Sequence, residues 1–314
     1  MDLVETLRNK IGSLSDGDHT SGLNATLGHI EVAFRHLARG QSDGDETAFT
    51  DAIYRTNQAF EGAIKEAYRV LTGKDPRRKT PHNIEEYLEG NGTFRDRVLS
   101  QFRNYRTEWR NPSTHDYKLY FDESEAFLAI VSVSAFACLL SDQIAAKIAF
   151  DASKTALDNS VCAPSSGQGD TTLINQISKF VQNFGSTFTR NKVHGPMSEG
   201  EMIGSLHGAI ASALPEVEVS LESRLSPESQ YRADMILKRG DERVLLEMKR
   251  FSRHGGLVVA REQVEMYLEE SGINQALLIF MPEAPEEIEI TEYNPAERNS
   301  QIKILLPKSV IRHG

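Results

Sequence analysis

Apolar residues in the first half of the chain recur at steps of three and four. Between residues 21 and 37 they are Leu23, Leu27, Ile30, Phe34 and Leu37, which is the stripe of an amphipathic helix, since such steps return to one face. Gly40 to Asp45 breaks the pattern. It resumes with Phe49, Ile53, Phe60, Ile64, Tyr68 and Leu71, a longer helix that Gly73 and Pro76 stop. A third stripe over 94–109 runs through Val98, Leu99, Phe102, Tyr105 and Trp109, with Arg103, Arg106 and Arg110 alongside, and Pro112 is expected to end it. Asp122 followed by Glu125 reads as a capping box opening a last helix, from 123 to about 150. That helix is rich in Ala, Val, Ile and Phe, as the buried centre of a bundle must be. Residues 1–150 therefore read as an all-α domain of four or five helices.

The stretch 151–170 contains Ala163-Pro164-Ser165-Ser166-Gly167-Gln168-Gly169, has almost nothing to bury and reads as a linker. Beyond it the periodicity alternates. Helices over 171–188 and 198–214 precede a strand over 216–221, a hairpin, a helix carrying Gln263, and strands over 275–281 and 301–306. Residues 171–314 are thus expected to form an α/β domain around one mixed sheet, giving an α plus α/β chain.

The hairpin carries the chemistry. Arg232 to Leu237 and Val244 to Lys249 are apolar runs on either side of a charged turn at Gly240. Residues two apart on a strand share a face, so Glu247 and Lys249 project together, Met248 points away, and Asp234 lies on the partner strand. Acids rarely interrupt an apolar strand unless they are paired or bound to metal. Hard oxygen donors suit Mg²⁺ or Mn²⁺. The lysine is left for a substrate, where its ammonium can steady an attacking hydroxide or the charge on a phosphorane. A solvated hairpin with unrelated charges is the competing reading.

Asp234, about a dozen residues, then Glu247-x-Lys249 resembles the signature of the PD-(D/E)XK nuclease superfamily of restriction and repair enzymes, with Ala233 where a proline is usual. Gln263-x-x-x-Tyr267 on the following helix places both side chains on one face and resembles the extra motif of the exonuclease-like branch. The resemblance implies a restriction-endonuclease-like core, DNA as substrate and Mg²⁺ or Mn²⁺ as cofactor. It implies Asp234 and Glu247 as metal ligands, with Met248 and an acid from the opening helix completing the set, and Lys249 and Gln263 as catalytic partners. Of the two first-turn acids, Glu199 shares the face of Ile203, Leu206 and Ile210 and Glu201 does not, so Glu199 is the candidate. A first-turn glutamate is also favoured simply by the helix dipole.

A second candidate lies between the third and fourth helices, where Trp109-Arg110-Asn111-Pro112-Ser113-Thr114-His115 reads as a polar loop. An arginine, a polar residue, a spacer and a histidine ahead of the last long helix resemble the Arg-x4-6-His motif of HEPN ribonucleases, with identity at Arg110, Asn111 and His115. The resemblance implies a HEPN-like bundle with metal-independent RNA chemistry. His115 would exchange protons with a ribose 2′-hydroxyl or leaving 5′-oxygen, Arg110 would grip the phosphate, and two protomers would join their loops in a homodimer. Many such bundles keep dimerisation alone, and surface residues in an ordinary turn are the alternative.

Charge narrows the possibilities. With 45 acidic and 35 basic residues the net charge is −10, so any contact with nucleic acid must be local. Lys249, Arg250, Arg253, His254 and Arg261 supply such a patch. Two cysteines, Cys138 and Cys162, make no disulfide scaffold or zinc spacing. The start of the chain lacks a secretion signal, and the apolar run 126–140 is too short for a bilayer, so a cytoplasmic enzyme is expected. The combined expectation is a DNA nuclease whose helical half dimerises or cuts RNA, similar to bacterial antiphage defence effectors. A non-catalytic interaction protein, or a protein whose helical half is the only enzyme, stands against it.

Overall fold

The computed structural model describes residues 2–115, 120–158, 172–187, 197–250, 255–281, 286–295 and 299–311, without the side chains of His115, Arg250, Val310 and Ile311. The chain divides into two compact units, Met1–Ile148 and Ala149–Gly314.

The first unit is helical. It contains α1 (Leu3–Ser13), α2 (Asp18–Asp43), α3 (Thr47–Thr72), α4 (Pro81–Gly90), α5 (Asp96–Tyr105), α6 (Asn111–His115) and most of α7 (Glu123–Asp158). Its core centres on Phe60, whose ring lies 5.5, 4.7 and 5.3 Å from those of Phe102, Tyr105 and Phe136. The Tyr105 hydroxyl is buried with them and lies within hydrogen-bond distance of Thr56 Oγ1 at 2.7 Å and Asn57 Oδ1 at 2.9 Å, so the one polar atom in the cluster is satisfied. Gly73, at φ 68°, ends α3 in a left-handed conformation that favours glycine. The capping box of α7 is present in both directions, Glu125 N–H to Asp122 and Asp122 N–H to Glu125, each at 2.8 Å.

Two expectations for this half are corrected. Pro112 does not end the third helix. Arg106–Arg110 forms a π-helical turn, Asn111 N–H reaching back to Arg106 O, and helical geometry continues to His115. Proline has no N–H to give and its ring crowds the turn before it, so a widened turn is how a helix passes it. The 110–115 stretch is thus helix, not loop. The linker also begins later than residue 151, because α7 runs on to Asp158. Its last turns belong to the second unit, where the Phe150 ring sits 4.6 Å from His207 and Asp158 accepts a hydrogen bond from Ser212. The rest of the expected linker lies outside the described residues. Among those residues α7 is the one helix long and apolar enough to cross a membrane, and more than half of its most apolar stretch is buried inside the protein.

The second unit contains α8 (Leu173–Thr187), α9 (Glu199–Ala213), β1 (Glu218–Arg224), β2 (Arg232–Arg239), β3 (Glu242–Arg250), α10 (Gly255–Ser271), β4 (Gln275–Met281), β5 (Ile288–Tyr293), β6 (Gln301–Pro307) and α11 (Lys308–Ile311). The strands form one six-stranded mixed sheet in the order β1-β2-β3-β4-β6-β5. β2 runs antiparallel to both β1 and β3, β3, β4 and β6 run parallel, and β5 is an antiparallel edge. The β2–β3 turn is tight, with Arg239 paired to Glu242 and Gly240 at φ 59°. Both faces of the sheet are covered. Leu173, Ile177, Leu206 and Ile210 of α8 and α9 pack on Met235, Leu237, Leu246 and Met248, while Val264, Tyr267 and Leu268 of α10 pack with Leu245, Leu278 and Ile304. β3 contributes to both cores, as a central strand must.

Candidate active site at the end of the hairpin

The β2–β3 ladder runs from Arg239↔Glu242 to Met235↔Leu246 and then stops. On the other side of β2, the β1 pairing goes from Leu221↔Met235 to Ser223↔Ala233 and skips Glu222, whose φ of 45° is left-handed. Asp234 therefore stands where both neighbouring ladders are interrupted. Side chains take over the bonding. Asp234 Oδ2 accepts the Met248 N–H at 2.7 Å, and the Asp234 main chain in turn lies near enough to the Glu247 carboxylate to favour its ionised form. Two acids are thereby tied across the open end of the hairpin.

Strand alternation puts Glu247 and Lys249 on the α10 face with Leu245. Lys249 Nζ lies 2.7 Å from Glu247 Oε1, and Gln263 Nε2 of α10 donates to the same oxygen at 3.1 Å and to the Tyr267 hydroxyl at 2.6 Å. Asp234, Glu247, Lys249, Gln263 and Tyr267 are thus gathered in one cluster. Glu247 is only 3% exposed, and among the described residues its buried Oε2 has no hydrogen-bond partner. An ionised oxygen in that state is expensive.

Electrostatics reflect the crowding. Burial first, then the charges of Glu247 and Glu199, push Asp234 up to about 7 against the pull of the Met248 N–H and Lys249. Glu247 is raised as well, chiefly by burial, with Lys249 opposing. Burial alone would lower Lys249, but the hydrogen bond and charge of Glu247, with Asp234 and Glu199, outweigh it and its pKa rises. The cluster holds one firm ammonium beside two reluctant carboxylates. A hard divalent cation relieves that reluctance by supplying positive charge to the unpartnered oxygen, so the donor set fits Mg²⁺ or Mn²⁺.

The remaining candidates fall out differently. Glu199 opens α9, where Ser198 and Glu201 form the capping box that leaves Glu199 unused by the cap. Its charge is felt by Asp234, Glu247 and Lys249, yet among the described residues no three His, Cys, Asp or Glu side chains form a metal-binding group. The side chains that could hold a cation are therefore the Asp234/Glu247 pair, with Glu199 felt through its charge. The Met248 side chain is buried in the α8/α9 core, and its N–H is occupied by Asp234, so its thioether is no part of the cluster. In the basic patch, Arg253, His254 and the Arg250 side chain lie outside the described residues. Arg261 sits 3.5 Å from Glu265 and 4.5 Å over the Tyr293 ring.

In the helical unit, Arg103 and Arg106 both bond Glu89 at 2.7 Å. Arg110 Nε lies 3.8 Å from Glu85 and its Nη1 bonds Asn111 at 3.1 Å. The arginine row is thus an ion ladder onto α4, whose acids the sequence reading missed although Glu85 and Glu89 are four apart on one helix face. Glu85 is buried, which raises its carboxyl despite Arg110. The His115 side chain lies outside the described residues.

No family profile, curated protein or solved structure matches the chain.

Because folding lifts Asp234 above its ordinary value, its stabilising contribution is full below pH 4 and is lost as pH rises through about 7. In EDTA the melting temperature of the second unit should fall between pH 5 and 8. Asp234→Asn, which keeps an acceptor for Met248 N–H, should flatten that slope and raise melting at pH 8 by about 4 °C or more. A variant that melts lower than the parent at both pH values would show that the acid is not held against its preference.

Proposed function

We propose that the second unit is a divalent-metal-dependent nuclease that hydrolyses DNA phosphodiester bonds in the cytoplasm. The observation that carries this reading is the buried, unpartnered oxygen of Glu247 beside Asp234 and the Lys249 ammonium. Asp234 and Glu247 would hold Mg²⁺ or Mn²⁺, which supplies Lewis-acid polarisation of a phosphate oxygen and an acidic bound water. Lys249 keeps its proton more firmly than a free lysine, so it is no general base. Its role is fixed positive charge for the oxygens of the pentacoordinate phosphorus, preorganised by Glu247. Gln263 holds Glu247 Oε1 in place and leaves Oε2 without an internal partner. Tyr267 in turn orients Gln263.

For the helical unit, dimerisation and RNA cleavage through Arg110 and His115 remain our proposal from the motif, with a role in antiphage defence for the whole. Arg110, clamped between Glu85 and Asn111, would offer a fixed fork to a phosphate.

Plasmid DNA should be degraded with Mg²⁺ or Mn²⁺ and not with EDTA, and Lys249→Ala should lower the rate by roughly 100-fold in a chain that still folds, though it melts lower because buried Glu247 loses its partner. Cutting that persists in EDTA, or survives the substitution, contradicts the reading. RNA cleavage should continue in EDTA and disappear in His115→Ala. Equal RNA cleavage by that variant removes the helical site.

A further inference from the structure

Tyr231 sits beside the cluster and has no part in it so far. Its ring is 49% exposed, and it lies 6.1 Å from the Tyr267 ring at an interplanar angle of 40°. Tyr267 is 6% exposed and receives the Gln263 amide that also holds Glu247. From the buried carboxylate outward the order is Glu247, Gln263, Tyr267, Tyr231, and the last of these meets solvent. Isolated exposed tyrosines are common on protein surfaces. This one differs in how it is held. Tyr231 N–H donates to Ser229 Oγ at 3.1 Å, its carbonyl accepts Leu225 N–H at 3.2 Å, and Ser229 N–H bonds Ser226 O and Oγ, each at 3.2 Å. Ser229 is itself buried. The backbone is braced while the ring is presented, which is the condition for stacking at low entropic cost.

Charge points the same way. Arg224 and Arg232 are direct register partners across β1 and β2, adjacent to Tyr231. Like charges opposite one another in a ladder are unfavourable, and here Arg232 Nη1 is tied back to β1 by donating to the Glu222 carbonyl at 3.4 Å. An aromatic platform flanked by cations is the arrangement that binds unpaired nucleic acid, because every base has a π face and the backbone is anionic. In a duplex those faces are already stacked on neighbouring pairs and the ring would find none free.

We propose that Tyr231 is a stacking platform for an unpaired base next to the scissile phosphate, and that the substrate class of this site is single-stranded DNA. The inference rests on the nuclease reading above and deepens it.

The test uses the full chain with Asp234→Asn, in EDTA, and a single-stranded oligonucleotide carrying 2-aminopurine, alongside the same strand in a blunt duplex. The single strand should bind at least tenfold tighter than the duplex and its fluorescence should be quenched. Adding Tyr231→Ala should weaken single-strand binding roughly tenfold and abolish the quench, while Tyr231→Phe and Tyr231→Trp retain both. In the otherwise unaltered chain, Tyr231→Ala should raise KM for single strands with kcat within about twofold of the parent. Binding unchanged in Tyr231→Ala, or weakened equally for single strand and duplex, overturns the platform. If the parent cuts DNA with metal and Tyr231→Ala behaves like it, the platform fails and the nuclease reading survives. If the binding differences appear and no DNA is cut with any metal, the nuclease reading fails and the platform stands.

Discussion

Two carboxylates share a place where water scarcely reaches, and the surrounding fold has to accommodate that. Lifting Asp234 from an ordinary 3.8 to about 7 sets on the order of 4 kcal/mol against its ionised form. A domain is stable by about 5–15 kcal/mol in all, so a penalty of that size is a large share of the margin. The protein partly offsets it with the Met248 N–H on Asp234 and with Lys249 and Gln263 on Glu247. Among the described residues one oxygen, Glu247 Oε2, is left without a partner. Under the proposed function, that oxygen is where a small cation would be held.

The rest of the second unit serves to keep that pair from escaping to solvent. β3 lies third in the sheet order and is covered on both faces, so Glu247 cannot rotate out without opening a core. The parallel step from β3 through α10 to β4 carries Gln263 and Tyr267 over the end of the hairpin. The interrupted ladders on both sides of Asp234 supply the room, since a regular three-stranded sheet would hold the main-chain groups that here bind side chains. Local irregularity and chemistry coincide at one residue.

How far all this could be read beforehand depended on how much of the signal is local. The strand over 275–281, the turn at Gly240 and the capping box at Asp122 follow from neighbouring residues, and the structure has them at those positions. So does the gathering of Asp234, Glu247, Lys249 and Gln263, because strand alternation and one helical turn place them. β5 went unseen because Ile-Glu-Ile-Thr-Glu-Tyr is short and acidic, as suits an exposed edge strand that must discourage further pairing. The passage of a helix through Pro112 depends on a widened turn that no periodicity announces. The acids of α4 beneath the arginine row and the bracing of Tyr231 are contacts between separate segments, visible only once the chain is folded.

Calorimetric titration of Mn²⁺ into the full chain at pH 7, in two buffers of different ionisation enthalpy, addresses the carboxylate pair directly. The account predicts a single ion per chain, bound with release of roughly half a proton and with the release fading by pH 9. An absence of binding heat at millimolar Mn²⁺, or binding that proceeds without proton release and persists in Asp234→Asn, would contradict it.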